Sequence, residues 1–244
     1  MESQSQLFEQ TSHPGEVDEM FHIFNGPNIS NVFFWNIIFD DLSKNKIFFD
    51  SIVECGVGRG RSLLTINHLL DIYLKTKILD IGEKKLKVYG LDSFEGFPKP
   101  TIFDDSFRNP KEGEWASSPS GKYKYNKNFI KKIFSNSSVT DEYLELIKGF
   151  FSESTKKLKS RCLKIGILHL DGDLYESIKD PLDNLSASVV KGGFIIFDDF
   201  LLKSASHDAF PGSRKAYEEF IEINHNSYNQ FPSTRGNVIL KKIK

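Results

Sequence analysis

Short apolar runs alternate along the chain with longer segments in which apolar residues recur at helical spacing. Two of these runs, residues 165–170 and 193–197, contain or begin with glycine and end in carboxylates. Such runs are typical of strands buried on both faces, as in a parallel sheet covered by helices. The predicted strands are residues 48–54, 86–92, 143–149, 163–170, 193–197 and 236–242, of which 143–149 also fits a helical turn.

Helical spacing of apolar residues predicts helices between these strands. They span residues 31–42, 62–73, 126–134, 152–160, 176–190 and 211–224. The alternation of strand and helix predicts a doubly wound, mostly parallel α/β sheet with helices on both faces. Within the helix at 176–190, we expect Pro181 to mark the first turn, where proline is best tolerated.

The domain organisation follows from length and local composition. Residues 1–30 are polar and turn-rich, which predicts an N-terminal arm or lid. Residues 31–244 suit one α/β domain, since such domains often reach this size as a single unit. A polar, irregular stretch near residues 100–128 is longer than an ordinary connection and predicts a lid-like insertion.

Composition and charge limit the kinds of partner that the protein is expected to bind. The net charge is −1 with 27% charged residues, so no global field favours nucleic acid or an acidic membrane. Residues 122–132 interleave basic and aromatic residues like a nucleic-acid strip, but at this net charge a solvated helix face or lid is favoured. Neither a signal peptide nor an 18-residue apolar span occurs, which predicts a cytoplasmic protein. Cys55 and Cys162 are expected at opposite ends of neighbouring strands, as separate thiols.

Carboxylates follow two of the predicted strands: Asp171 and Asp173 after one, Asp198 and Asp199 after the other. Ligands of open α/β sheets bind outside the carboxyl ends of the strands. Four anions there repel one another, so a cation is the natural compensation, and oxygen ligands favour Mg²⁺ or Ca²⁺ over zinc. Asp173 and Asp199 could instead cap the following helices. His169, alone on its strand, is interpreted as a core residue.

A glycine-rich turn from Gly56 to Gly60 joins a predicted strand to a helix. Such a turn lets a ligand approach the backbone and the amides of the helix N-terminus. Asp92 ends the second strand, where an acid can bind ribose hydroxyls, but it lies 32 residues after Gly60, beyond the ~20 of a nicotinamide dinucleotide site. S-adenosylmethionine fits better, with Glu54 or Asp171 as a partner for its ammonium group.

Four ordered segments carry a resemblance to a known family. They are VECGVGRGRS at 53–62, VYGLDSFEGFP at 88–98, LHLDGDLYES at 168–177 and GGFIIFDDF at 192–200. Together they resemble the macrocin O-methyltransferase family, over about residues 53–220. The resemblance implies a Rossmann-like class I methyltransferase with a seven-stranded sheet, and a Mg²⁺-dependent methyl transfer from S-adenosylmethionine to a sugar hydroxyl.

The resemblance also implies roles for particular residues. It makes Asp171, Asp198 and Asp199 the metal ligands. Around the cofactor it places Glu54, Gly56, Arg59, Ser62, Asp92 and Ser93, and Gly60 is expected there as the last glycine of the turn. Gly58 and Arg61 depart from the family pattern, which has a large aromatic residue and a small residue there. These departures change the wall on the cofactor side, and the acceptor does not transfer with the motifs.

The expected mechanism uses Asp171 and Asp173 as the catalytic residues. A metal held by Asp171, Asp198 and Asp199 binds two neighbouring hydroxyls of the acceptor and lowers the pKa of one, with Asp173 as an assisting base. The expected partner is a small molecule or glycan with adjacent hydroxyls, with no nucleic acid and no membrane, and a homo-oligomer is left open. Two alternatives remain: a glycosyltransferase or phosphatase using the Asp-x-Asp pair, and a non-catalytic nucleoside-binding module.

Overall fold

One seven-stranded sheet carries the fold. The structure is a computed structural model that describes residues 27–80, 85–118, 120–201 and 208–244. Its strands are β1 (Ser51–Cys55), β2 (Lys87–Asp92), β3 (Leu144–Lys148), β4 (Ile165–Leu170), β5 (Val189–Leu201), β6 (Tyr228–Gln230) and β7 (Asn237–Lys242). The described α-helices are α1 (Pro27–Lys44), α2 (Arg61–Lys75), α3 (Lys127–Ser137), α4 (Phe151–Lys159), α5 (Tyr175–Leu185) and α6 (Pro211–Asn224).

The strand order is β3-β2-β1-β4-β5-β7-β6. The first five strands of this order pair in parallel, and β7 runs antiparallel to both β5 and β6. The prediction of a doubly wound, mostly parallel sheet is therefore confirmed. The order reverses between β1 and β4, so the crevice at their carboxyl ends is the topological switch point where ligands of such sheets bind.

Two apolar layers pack on the two faces of the sheet. Along β4, Ile167 belongs to the layer under α1 and α2, whereas the next residue, Leu168, belongs to the layer under α5. This follows from the alternation of side chains along a strand. Full burial of one such side chain stabilises the fold by roughly 1.5–3 kcal/mol. The two layers hold the switch point rigidly between them.

Several boundaries differ from the prediction. Helix α5 begins at Tyr175, so the expectation that Pro181 marks its first turn was wrong. The amide of Tyr175 donates a 2.7 Å hydrogen bond to Asp104, and this distant partner starts the helix upstream of the proline. The same helix ends at Leu185, before its predicted end at 190, because a 3₁₀ turn leads into β5 at Val189. Strand β6 was not predicted, since three residues carry no readable period.

The structure describes only part of the predicted N-terminal arm and most of the predicted lid-like insertion. Residues 1–26 lie outside the described residues, and residues 27–30 belong to α1 rather than to an arm. The stretch near 100–128 contains a 3₁₀ turn at Ile102–Asp104 and a short bridge between Ser117 and Lys124. Both cysteines are free thiols, Cys55 buried and Cys162 exposed, as expected. None of the described helices combines the length and apolarity needed to cross a bilayer.

Candidate active site

A cavity of about 510 Å³ opens at the switch point. Its wall combines the glycine turn after β1, the end of β2 with the loop that follows, and the residues between β4 and α5. Among the predicted cofactor residues, those at this wall are Gly56, Arg59, Ser62, Asp92 and Ser93. Glu54 and Gly60 do not line it. Glu54 points into the interior towards His169, and Gly60 packs against Ile130 at the start of α2.

Gly56 lets the ends of β1 and β4 touch at the base of the cavity. Its φ is +97°, and a Cβ there would lie 1.8 Å from the carbonyl oxygen of Asp171. The amide of Asp171 in turn donates to the carbonyl of Cys55 across 2.9 Å. A residue without a side chain is therefore required at position 56, as the glycine turn predicted.

Asp92 holds the glycine turn in place. Its Oδ2 accepts hydrogen bonds from the amides of Val57 and Gly58, both at 2.9 Å, and its Oδ1 accepts one from Phe94 at 2.6 Å. Burial raises the pKa of Asp92, and these amides offset part of the rise. An ionised carboxylate has about four lone-pair sites, so three amides leave acceptor capacity for a ligand in the cavity that Asp92 lines. The ribose role predicted for Asp92 stays a prediction.

The two departures from the family pattern have different consequences. Gly58 has a φ of +49°, and no atom lies within 4 Å of where its Cβ would stand, so the position leaves open space at the cavity wall. Arg61 lines the same cavity, and its charge contributes to a low pKa of Asp198. One departure thus enlarges the cavity and the other adds positive charge beside the acids.

The four predicted carboxylates lie near one another at the edge of the sheet. Burial raises the pKa of Asp171 to about 8, and the charge of Asp198 adds to the rise. Burial also raises the pKa of Asp173 to about 7. The pKa of Asp199 lies well above its ordinary value because of burial and the charges of Asp173 and Asp171. Mutual repulsion of this kind is what a bound cation would relieve.

Asp198 is the carboxylate of this group that is held as an anion. It accepts hydrogen bonds from Arg235 Nη2 and Asn237 Nδ2, both at 3.1 Å, and His169 Nε2 lies 3.7 Å away. Burial alone would raise its pKa, but the charge of the neighbouring His169 holds the pKa of Asp198 below its ordinary value. Sequence reasoning missed Arg235 and Asn237, which come from β7 and the loop before it.

Two of the three predicted metal ligands, Asp171 and Asp198, lie in one tight group with His169. Ligand atoms of His169, Asp171 and Asp198 lie within 4.8 Å of one another and form the possible metal-binding group found in the described part of the chain. Asp199 Oδ2 instead accepts hydrogen bonds from the amide of Asp173 at 3.0 Å and from Ser213 Oγ at 3.4 Å. Asp199 nevertheless lies close enough to Asp171 and Asp198 for their charges to raise its pKa.

Asp173 is not the helix cap that the sequence allowed. The residue before α5 is Leu174, and the first amide of the helix is bound by Asp104. Asp173 has a φ of 63°, an uncommon conformation for a residue with a side chain, and it lines the cavity. Asp199 is likewise no cap, because it lies inside β5. Asp173 therefore remains a candidate for the base.

Arg108 is a third residue that the sequence did not reveal. Its guanidinium lies 5.9 Å from the ring centres of Phe97 and Trp115 and 5.2 Å from that of Phe210. It also pairs with Glu114 at 3.1 Å, and its charge lowers the pKa of Asp173 against the effect of burial. The lid-like stretch thus supplies a cation near the candidate base.

His169 is buried, as predicted, but it connects two carboxylates. Its Nδ1 lies 3.2 Å from Glu54 Oε1. Burial would lower its pKa, yet the hydrogen bond to Glu54 and the negative charges of Glu54 and Asp198 raise the pKa of His169 to about 10. A signal was present in the sequence, because His169 and Asp171 are two residues apart and share one face of β4.

Known proteins resemble this chain in sequence and in fold. The family model described as macrocin-O-methyltransferase (TylF) matches residues 37–227. The 8-demethyl-8-(2,3-dimethoxy-alpha-L-rhamnosyl)-tetracenomycin-C 4'-O-methyltransferase of Streptomyces olivaceus is 28% identical over 64% of this chain and 56% of its own length. Demethyldecarbamoylnovobiocin O-methyltransferase of Streptomyces niveus is 26% identical over 75% of this chain and 65% of its own length.

The fold itself occurs in a solved methyltransferase. The crystal structure of CalS11, calicheamicin methyltransferase, matches with a TM-score of 0.72 at 18% identity, covering 97% of this chain and 90% of that one. At this identity the likeness shows the fold alone. The chain spans 56% and 65% of the lengths of the two curated relatives above.

Proposed function

Because the chain belongs to the macrocin O-methyltransferase (TylF) family, we propose that it transfers a methyl group from S-adenosylmethionine to a sugar hydroxyl or another hydroxyl of a vicinal diol. The observation that carries this proposal is one cavity lined by Gly56, Asp92, Asp171 and Asp173. This cavity thus brings together the exposed backbone at Gly56, an acid suited to ribose at Asp92, and the two candidate catalytic acids, Asp171 and Asp173.

The cavity suits S-adenosylmethionine. Its volume of about 510 Å³ falls within the usual range of cofactor sites, roughly 300–1,000 Å³. Gly56 exposes backbone at the switch point, and Asp92 has acceptor capacity for ribose hydroxyls. Asp171, at the same wall, is the partner we assign to the ammonium of the methionine portion, because Glu54 is turned away towards His169.

The acid group suits a divalent cation. We assign Asp171, Asp198 and Asp199 to Mg²⁺, because Mg²⁺ prefers oxygen ligands and because these three carboxylates lie near one another at the edge of the sheet. The raised pKa values of Asp171 and Asp199 support this assignment, since they report carboxylates crowded together. When bound, such a cation lowers the pKa of a hydroxyl that contacts it.

The remaining chemistry belongs to the chain. The acceptor oxygen attacks the methyl carbon, an oxygen–carbon bond forms, and the carbon–sulfur bond breaks to leave neutral S-adenosylhomocysteine. Asp173 takes the proton of the acceptor hydroxyl, for which its pKa of about 7 is well matched near neutral pH. The cavity walls contribute alignment, which converts a two-body reaction into a one-body step.

The acceptor class follows from the relatives. By their names, one curated relative is a 4'-O-methyltransferase of a rhamnosyl-tetracenomycin and the other an O-methyltransferase of demethyldecarbamoylnovobiocin. We propose a sugar hydroxyl as the acceptor, free or attached to an aglycone; the neighbouring second hydroxyl is proposed from the metal contact and not from the relatives. The reading of Asp171 and Asp173 as a glycosyltransferase or phosphatase pair has no support from the family or the fold.

The test is methyl transfer from S-adenosylmethionine to a panel of rhamnosides with free neighbouring hydroxyls, followed by mass spectrometry. We expect a product heavier by one methyl group in the presence of Mg²⁺, loss of product with EDTA, and recovery when Mg²⁺ is restored. The variant Asp198→Ala should give no product. Tight binding of S-adenosylhomocysteine without turnover on any diol would favour a non-catalytic module, and undiminished methylation by Asp198→Ala in EDTA would refute the metal role.

A further inference from the structure

We propose that His169 is a positioning residue: its Nε2 side restricts the orientation of the Asp198 carboxylate, and Glu54 in turn holds the imidazole ring through Nδ1. The inference rests on the proposed function to the extent that Asp198 is a metal ligand. Glu54 and His169 are both buried and do not line the cavity. The positioning role explains why this pair of ionisable side chains lies in the interior.

The strand register brings the three side chains into one row. Glu54 of β1 pairs with His169 of β4, and His169 pairs with Ile196 of β5, two residues before Asp198. His169 Nδ1 lies 3.2 Å from Glu54 Oε1, and its Nε2 lies 3.7 Å from Asp198 Oδ1. The imidazole therefore spans the gap between a carboxylate on one side of β4 and a carboxylate on the other.

Packing prevents the ring from turning. His169 is fully buried, and the edge of Trp35 meets it at 90° with 4.9 Å between ring centres. Trp35 is itself fully buried on α1. A ring flip would leave Glu54 without its hydrogen bond in a site that water does not reach. An unpaired buried charge is costly, so the observed orientation is strongly preferred.

Asp198 is thereby held from two sides. Asn237 and Arg235 approach it from β7 and the preceding loop at 3.1 Å, while His169 approaches from β4. Two hydrogen bonds on one side and the imidazole on the other restrict rotation of the carboxylate, and one of its oxygens lies within 4.8 Å of an oxygen of Asp171. Carboxylate ligands of metals are commonly oriented by hydrogen bonds of this kind.

A competing assignment makes His169 Nε2 a metal ligand itself. It lies with Asp171 and Asp198 in the group that spans 4.8 Å, and it has no hydrogen-bond partner within 3.5 Å among the described residues. Metal-bound histidines also often direct their second nitrogen to a carboxylate, as His169 does to Glu54. The 3.7 Å approach to Asp198 and the donors already on that carboxylate favour the positioning role, and the experiment separates the two.

The experiment uses two variants that each retain one nitrogen position. In His169→Gln the amide nitrogen stands near the place of Nε2 and can reach Asp198. In His169→Asn it stands near the place of Nδ1 and reaches only towards Glu54. Both variants are polar and smaller than histidine, so a packing defect affects them alike. Mn²⁺ binding to the full chain is measured by electron paramagnetic resonance, with S-adenosylhomocysteine affinity by calorimetry as the control for folding.

We expect His169→Asn to weaken Mn²⁺ binding by about 10- to 100-fold, the usual cost of losing an orienting partner, and His169→Gln by less than about 5-fold. The affinity for S-adenosylhomocysteine should stay within about twofold in both, as it should in His68→Asn on the exposed face of α2.

Equal Mn²⁺ affinities of the two variants would overturn the proposal. So would ¹⁴N coupling from a directly bound imidazole in the wild-type protein, whereas absence of any Mn²⁺ binding to wild type would refute the metal role itself.

Discussion

The backbone amide of Asp173 donates a 3.0 Å hydrogen bond to the carboxylate of Asp199. This contact ties the turn after β4 to β5 and holds Asp173 at its positive φ of 63°. It also orients Asp199, whose pKa is raised well above its ordinary value by burial and by the charge of Asp173. Asp199 thus supports the turn through one oxygen and adds negative charge to a crowded group.

Asp199→Asn separates these two effects. Asparagine keeps an oxygen for the Asp173 amide and removes the charge, so the metal-free protein should melt about 2–4 °C higher at pH 7, the shift that ~1 kcal/mol produces in a domain of this size. A raised carboxyl pKa costs stability progressively as pH rises above 3.8, so the gain should grow with pH. Asp199→Ala loses the hydrogen bond and should melt lower than Asp199→Asn. Calorimetry at pH 5 and 7 would contradict this if the two variants melted together.

Gly56 and Gly58 should respond very differently to alanine. At Gly56 a Cβ would lie 1.8 Å from the Asp171 carbonyl, so Gly56→Ala should cost about 3 kcal/mol or more of unfolding free energy. At Gly58 the added methyl meets nothing within 4 Å, and the cost should be the ~1–2 kcal/mol of a left-handed residue. Urea denaturation measures both, and similar costs would show that β1 does not approach β4 this closely at Gly56.

Asp92→Asn should weaken S-adenosylhomocysteine binding by about tenfold. In the wild-type protein the two carboxylate oxygens of Asp92 accept hydrogen bonds from three backbone amides. An asparagine side chain has only one oxygen, and its NH₂ group would face an amide that also donates. A hydrogen bond is worth about 1 kcal/mol and tenfold is 1.4 kcal/mol, so loosening of the turn accounts for the loss. Glu95→Gln is the control, because its ion pair with Lys148 is exposed on both sides. Calorimetric titration that finds equal losses in both would contradict the role of Asp92.

His169 should give the metal-free protein a characteristic dependence on pH. Its folded pKa of about 10 exceeds the unfolded value near 6.5, so the folded state keeps a proton that the unfolded state releases. The stability that this residue contributes is fully present below pH 6.5 and is lost between pH 6.5 and 10. In EDTA, the unfolding free energy of wild type should therefore fall more steeply over this window than that of His169→Gln. Parallel profiles of the two proteins would show that His169 is not held by Glu54 and Asp198.

The two thiols should differ in reactivity. Cys162 is exposed, whereas Cys55 is buried at the end of β1 and burial raises its pKa far above the ordinary value. A thiol reagent should label one cysteine per folded chain, none in Cys162→Ser, and two in urea. Labelling of both thiols in the folded protein would contradict the burial of Cys55.

The sequence by itself determined the alternation of strands and helices and the placement of the acids. Apolar runs of strand length and the turns that bound them are local properties, so they predicted the parallel sheet and set Asp171 and Asp198 at its edge. The glycine turn was equally readable, because Gly56 and Asp92 follow their strands directly. Family motifs then supplied the chemistry that spacing alone left open.

Tertiary structure decided which groups bind which. Asp198 accepts hydrogen bonds from Arg235 and Asn237 because β7 pairs antiparallel with β5. The amide of Tyr175 donates to Asp104, which lies far away along the chain. The direction of Glu54, inward to His169 and away from the cavity, likewise depends on β1 lying beside β4. Hydrogen bonds form between groups that the strand order brings together, and neither composition nor periodicity records that order.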